Sequence, residues 1–137
     1  MSGSVVLDAS AAVRAVLDPA GQPVLLDRIG DAALVLAPTL LVAEVGNALW
    51  KYQRARQIGA DELVARHREA MALVHRIVND AELFPEVLML AADAGHPVYD
   101  AIYAVTARRH AAVLVTFDRR LHEFCGRVGI HSELLAA

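Results

Sequence analysis

Two short apolar runs, Val5–Leu7 and Val113–Phe117, each lead directly into an aspartate, Asp8 and Asp118. A strand without polar alternation is buried on both faces, which is the condition of a parallel sheet covered by helices on either side. Helical runs lie between the apolar segments, so the chain reads as α/β with a central parallel sheet of four to five strands flanked by helices. In such sheets, ligands bind beyond the carboxyl ends of the strands. Asp8 and Asp118 are expected at that edge.

The spacing predicts a helix with Ser10 as its N-cap, running to about Leu17 and broken by Pro19 and Gly21. A short helix is expected over Pro23–Ile29 and a strand over Leu34–Leu36, closed by Pro38. Thr39 suits the cap of a long helix from Leu40 to about Gln57, with Leu41, Val45, Ala48, Leu49 and Tyr52 on one stripe. A helix from Asp61 to about Val78, a strand over Glu82–Phe84 and a helix from Pro85 to about Gly95 are expected next. Pro97 suits the first turn of a helix over Val98–Arg109. A last helix over Arg119–Arg127 and an edge strand over Val128–Ile130 complete the reading. No repeat or linker divides residues 1–137, so one domain is expected.

Composition excludes several classes. Hydrophobic residues make up 56%, too many for a disordered chain. The formal net charge of −3 means that any contact with a polyanion must come from a local basic rim. Cys125 is the only cysteine, which rules out an intrachain disulfide and fits a reducing cytoplasm. The first ten residues lack a basic leader, so no signal peptide is expected. The longest uncharged apolar stretch, Ala32–Ala43, falls short of the roughly 20 residues that span a bilayer. No glycine-rich phosphate loop is present, which disfavours an ATPase or a Rossmann dehydrogenase. His67, His75, His96, His110, His122 and His131 form no zinc pattern and read as surface residues.

Two further acids, Glu44 and Asp100, sit in otherwise apolar helical stretches. An unpaired ionised carboxylate is costly to bury. Singly, each acid has an ordinary reading: Asp8 and Asp118 as helix caps, Asp100 as a first-turn acid, Glu44 as a solvated helix residue. Jointly, four carboxylates in apolar contexts point to a shared cation. A hard ion such as Mg²⁺ takes oxygen ligands and keeps several waters. It stabilises charge at a phosphodiester and lowers the pKa of a bound water, and four carboxylates can hold one ion or two.

Asn47 and Lys51 follow Glu44 at three and seven residues and share its face, so Asn47 can orient a ligand or water and Lys51 can touch phosphate. Ser10 and Thr116 stand two residues from Asp8 and Asp118 and can hydrogen-bond a carboxylate or a metal water, although Ser10 also suits a cap. Arg119 and Arg120, directly after Asp118, are the preferred phosphate contacts of an arginine rim that also draws on Arg14, Arg54, Arg56, Arg108 and Arg109. A solvated charged face is the alternative, and it suits Arg54, Arg56 and Arg66 at least as well. Trp50 and Tyr52 can stack on bases, or Trp50 packs in the core or an interface.

These segments resemble the PIN-domain ribonucleases, and among them the VapC toxins of prokaryotic toxin–antitoxin pairs. VVLDASAAV is similar to the family's first strand and acid, and APTLLVAEVGNAL to its second acidic motif. HPVYDAIYAVTARRHAAVLVTFDRRL is similar to the third and fourth motifs. The resemblance covers the whole chain and implies a three-layer PIN-like fold. It implies that Asp8, Glu44, Asp100 and Asp118 bind Mg²⁺ or Mn²⁺, with Thr116 and Ser10 in support. It further implies an endoribonuclease cutting RNA with a metal-activated water, a homodimer, and inhibition by a VapB-like antitoxin.

Other readings remain. A receiver-type Mg²⁺-binding signalling domain needs a phosphorylatable Asp at a middle strand, but here that strand ends in Ala37-Pro38, and no lysine follows the late strand. A haloacid-dehalogenase phosphatase needs a second Asp where Ser10 stands. A catalytically inactive PIN-like binding module has no use for four mutually repelling acids.

Overall fold

The computed structural model describes residues 3–136; residues 1, 2 and 137 of the expected domain lie outside them. The described residues form one sheet in the order β3-β2-β1-β4-β5, with every pairing parallel. Its strands are β1 (Ser4–Leu7), β2 (Leu34–Pro38), β3 (Arg76–Val78), β4 (Val113–Thr116) and β5 (Ser132–Leu134). The helices are α1 (Ala9–Leu17), α2 (Pro23–Asp31), α3 (Leu40–Arg54), α4 (Leu63–Ala72), α5 (Asp80–Ala94), α6 (Val98–Arg109) and α7 (Arg119–Arg127). Short 3-10 turns at Pro19–Gly21 and Ala60–Glu62 precede α2 and α4.

The apolar strands are buried on both faces, as their lack of alternation predicts. Val5, Leu7, Val35 and Val115 pack with Ala11, Ala15 and Leu25 of α1 and α2. Val6, Leu36 and Leu114 join a larger core built on α3, α5, α6 and α7. Each such side chain, fully buried, contributes roughly 1.5–3 kcal/mol. Helix α6 is buried from Ala101 to Ala107 without a break, because it packs against β1, β2 and β4 on one side and α5 on the other. A helix enclosed all round has no need of an amphipathic pattern.

Strand β1 is central, with β2 on one side and β4 on the other. The chain thus leaves β1 in one direction and reaches β4 in the opposite one. The crevice between their carboxyl ends is the topological switch point, where open parallel sheets bind ligands.

Several expected elements differ. Ser10 is not the N-cap of α1; Asp8 is, its carboxylate accepting from Ala11 N–H, so the helix begins one residue before Ser10. Thr39 occupies the cap position of α3 without a side-chain cap bond, because its hydroxyl donates to the Val78 carbonyl instead. Helix α3 stops at Arg54 because the chain turns at Arg56, where φ is 60°. Arg76–Val78 leaves the expected helix to pair with Leu36–Pro38 as an edge strand. Glu82–Phe84 is helical because Asn79 caps α5 through Ala81 N–H, well before Pro85. The last strand begins at Ser132 rather than Val128, since Gly129, at φ 75°, first turns the chain out of α7. No described helix is long and apolar enough to cross a membrane.

Candidate active site

Asp8, where β1 passes into α1, is 5% exposed. Its Oδ1 accepts from Ser10 Oγ at 2.7 Å and from Ala11 N–H at 2.9 Å, and its Oδ2 accepts from Thr116 Oγ1. Thr116 in turn accepts from Asp118 N–H at 2.9 Å, and Ser10 Oγ accepts from Phe117 N–H at 3.0 Å. These bonds tie the end of β1 to the end of β4. Asp118 caps α7, its Oδ1 accepting from Arg120 N–H at 2.9 Å.

Glu44 reaches the crevice from α3, and Tyr103 of α6 donates its hydroxyl to Glu44 Oε1 at 2.7 Å. Asp100, in the first turn of α6, meets His96 Nε2 through Oδ2 at 2.7 Å. Four segments distant in sequence thereby bring Asp8, Glu44, Asp100 and Asp118 to the wall of one cavity of about 470 Å³. Ser10, Asn47 and Lys51 line the same cavity.

Charge is unbalanced there. Among the described residues, Lys51 is the only basic one in the wall, against four carboxylates. Burial pushes the Asp8 carboxyl up to about 6; hydrogen bonds from Thr116, Ala11 and Ser10 oppose the rise, and the Asp118 charge adds to it. Burial likewise raises Glu44, opposed by the Tyr103 hydroxyl and reinforced by Asp100, Asp118 and Asp80. Proximity of like charge in a poorly solvated cleft is relieved by a cation.

The donor chemistry fits a hard divalent ion held partly through water. Among the described residues, no three His, Cys, Asp or Glu side chains stand close enough to hold an ion directly. Mg²⁺ needs no such cage, since it takes one or two carboxylates and keeps several waters. Glu44, Asp100 and Asp118 each hydrogen-bond through a single oxygen among the described residues, and the second oxygen remains for the cavity.

Two residues at this site escaped the sequence reading. His96 is not a surface residue: its side chain is 8% exposed and stacks on Phe124 at 4.1 Å between centroids. Arg127 Nη2 lies 3.2 Å from His96 Nδ1. A guanidinium has no acceptor, so Nδ1 must accept; the proton sits on Nε2 and is donated to Asp100. The four-residue spacing from His96 to Asp100 was a usable signal. Tyr103 was not singled out, although it follows Asp100 at three residues on the same helical face.

The arginines divide. Arg119 and Arg120 are absent from the cavity wall; Arg120 is largely exposed and leans its Nε to 3.8 Å from Asp100 Oδ2. Arg14 stands over the Phe117 ring at 4.3 Å and lines a neighbouring cavity. Arg108 and Arg109 both bind Glu86, away from the acids.

The sequence matches the PIN domain family over residues 5–127. It is 38% identical over 82 residues to exonuclease VapC9 from Pyrobaculum aerophilum, a match that spans 60% of this chain and 60% of that relative's length. The fold is similar to the crystal structure of PAE2754 from Pyrobaculum aerophilum, with a TM-score of 0.69 and 28% identity, covering 90% of this chain and 87% of the other. It is also similar to VapBC2 from Rickettsia felis, solved bound to a DNA fragment from their promoter, with a TM-score of 0.68, 13% identity, and coverage of 97% and 99%.

Proposed function

The chain belongs to the PIN domain family, and from that membership we propose that it is a metal-dependent endoribonuclease, the toxin of a VapBC-type pair. The observation that carries the reading is the meeting of Asp8, Glu44, Asp100 and Asp118 at one cavity beyond β1 and β4. Similarity to exonuclease VapC9 supports nuclease activity. Similarity to VapBC2 supports a VapB-like antitoxin as partner. The reading extends to a single PIN domain, a homodimer and a cytoplasmic setting.

The four acids would hold Mg²⁺ or Mn²⁺. When bound, the ion stabilises charge developing on the phosphodiester and yields a nucleophile near neutral pH. Thr116 and Ser10 keep the Asp8 carboxylate aimed and ionised. Lys51 contacts a phosphate oxygen, and Asn47 orients substrate or water. Glu44, with Oε1 held by Tyr103, keeps Oε2 for a proton from the attacking water, and its raised pKa makes it the better base.

The name of the Pyrobaculum relative favours a second reading, in which terminal nucleotides are removed one at a time. Both are tested by incubating 5′- and 3′-labelled RNA with the purified protein in Mg²⁺, Mn²⁺ or EDTA. Internal fragments that vanish in EDTA support the first reading, and a ladder shrinking from one end supports the second. Equal cleavage in EDTA overturns metal dependence in both.

A further inference from the structure

A second cavity of about 470 Å³ opens along the same α1–α3 seam. Lys51 lines the acidic cavity and the next residue, Tyr52, lines this one. Ser10 lines the acidic cavity, and Arg14, one turn further along α1, lines this one. A helical turn of four residues advances about 6 Å, so the two cavities are near neighbours.

The second cavity is polar in a particular way. Gln22 is 8% exposed, and among the described residues its side chain makes no hydrogen bond. Its amide atoms are not sealed from solvent, and Gln22 lines this cavity and one beside it. Arg14 is fixed against Phe117, while Asp18 presents a carboxylate that also accepts from Gly21 N–H at 3.2 Å. The two charges offset each other, and the carboxylate repels phosphate. A neutral group rich in donors and acceptors suits such a wall better.

We propose that this cavity holds an unpaired nucleobase of the RNA, next to the scissile phosphate. A carboxamide offers a donor and an acceptor to a base edge, and a carboxylate accepts from an exocyclic amine. Flat base faces pack on aromatic and apolar side chains, here Tyr52 and Ile58. Cleavage therefore carries a base preference at one fixed position beside the cut. This assignment rests on the nuclease reading above for its context, but binding of the base does not require chemistry.

Two variants, Gln22→Met and Gln57→Met, test it; Gln57 is exposed, so its loss leaves folding intact, and melting curves check both. Calorimetric titration of the metal-free protein uses the four ribonucleoside 5′-monophosphates, with ribose 5-phosphate as the baseless control. At least one nucleotide is expected to bind about tenfold more tightly than the control, and the variants to lose that margin. In parallel, ends are mapped after cleavage of a random RNA pool, where wild-type bias at one position is expected to flatten in both variants. Nucleotides binding no better than ribose 5-phosphate overturn the proposal, as does an unchanged bias in both variants. Base-dependent binding without any RNA cleavage upholds the site and overturns the nuclease reading instead.

Discussion

His96 donates its Nε2 proton to Asp100 Oδ2 across 2.7 Å, and Arg127 behind it fixes that tautomer. The carboxylate is thereby held at one oxygen by a ring N–H. Loss of such a support from a metal-binding carboxylate costs 10- to 100-fold in ion affinity or activity in order of magnitude. His96→Ala is therefore expected to shift the Mn²⁺ activation curve to about tenfold higher concentration or more. His96→Gln, which restores an N–H, is expected to recover part of the loss. Identical activation curves for wild type and His96→Ala would remove His96 from the site.

Asp8 links stability to pH in the absence of metal. Its pKa rises from 3.8 to about 6 on folding, with burial the main cause. The folded state binds that proton more tightly, so the contribution is fully present below about pH 4 and is lost as pH rises through 6. The two limits differ by on the order of 2–3 kcal/mol. In EDTA at pH 7.5, Asp8→Asn is expected to raise the melting temperature, since it removes a buried charge facing Asp118. At pH 4 the same substitution is expected to have little effect. A lower melting temperature at pH 7.5 would contradict a repulsive cluster.

Tyr103 is 2% exposed and its hydroxyl meets Glu44 Oε1 at 2.7 Å. Tyr103→Phe preserves the ring packing and removes the donor. A half-buried carboxylate that loses its partner costs about 1–3 kcal/mol, and the Glu44 pKa is expected to rise further because that hydroxyl now opposes the rise. Denaturant unfolding at pH 8 measures the loss. At pH 4, where Glu44 takes a proton more readily, the deficit is expected to shrink. A deficit independent of pH would mean that the hydroxyl serves packing alone.

The acids at the sheet edge were legible because their strands are short, apolar and uninterrupted, so both Asp8 and Asp118 stand where polarity resumes. Glu44 and Asp100 were legible by contrast with apolar neighbours. The elements that went astray carry little local signal. Strand β3 has three residues, Arg-Ile-Val, and owes its existence to hydrogen bonds with β2. The start of α5 depends on the Asn79 cap, which the later Pro85 obscures. The role of His96 depends on Arg127, 31 residues away, and on the Phe124 face between them. No helical or strand period encodes that contact.

The basic residues are expected to separate into those that meet RNA and those that brace the fold. Lys51 stands in the wall of the acidic cavity, whereas Arg108 is engaged by Glu86 at 2.8 Å on another surface. Each phosphate contact releases counterion, so its loss lowers the salt slope of log K by about 1. Lys51→Met is thus expected to weaken RNA binding across sequences and to flatten the salt dependence by that amount. Arg108→Met is expected to leave the slope unchanged, and its cost in stability to stay within about 1 kcal/mol because the pair is solvent-screened. Filter binding of a noncleavable RNA between 50 and 200 mM salt, roughly the range in which such slopes are read, separates the two. A reduced slope for Arg108→Met with none for Lys51→Met would move the RNA path off the α3 face and onto the end of α6.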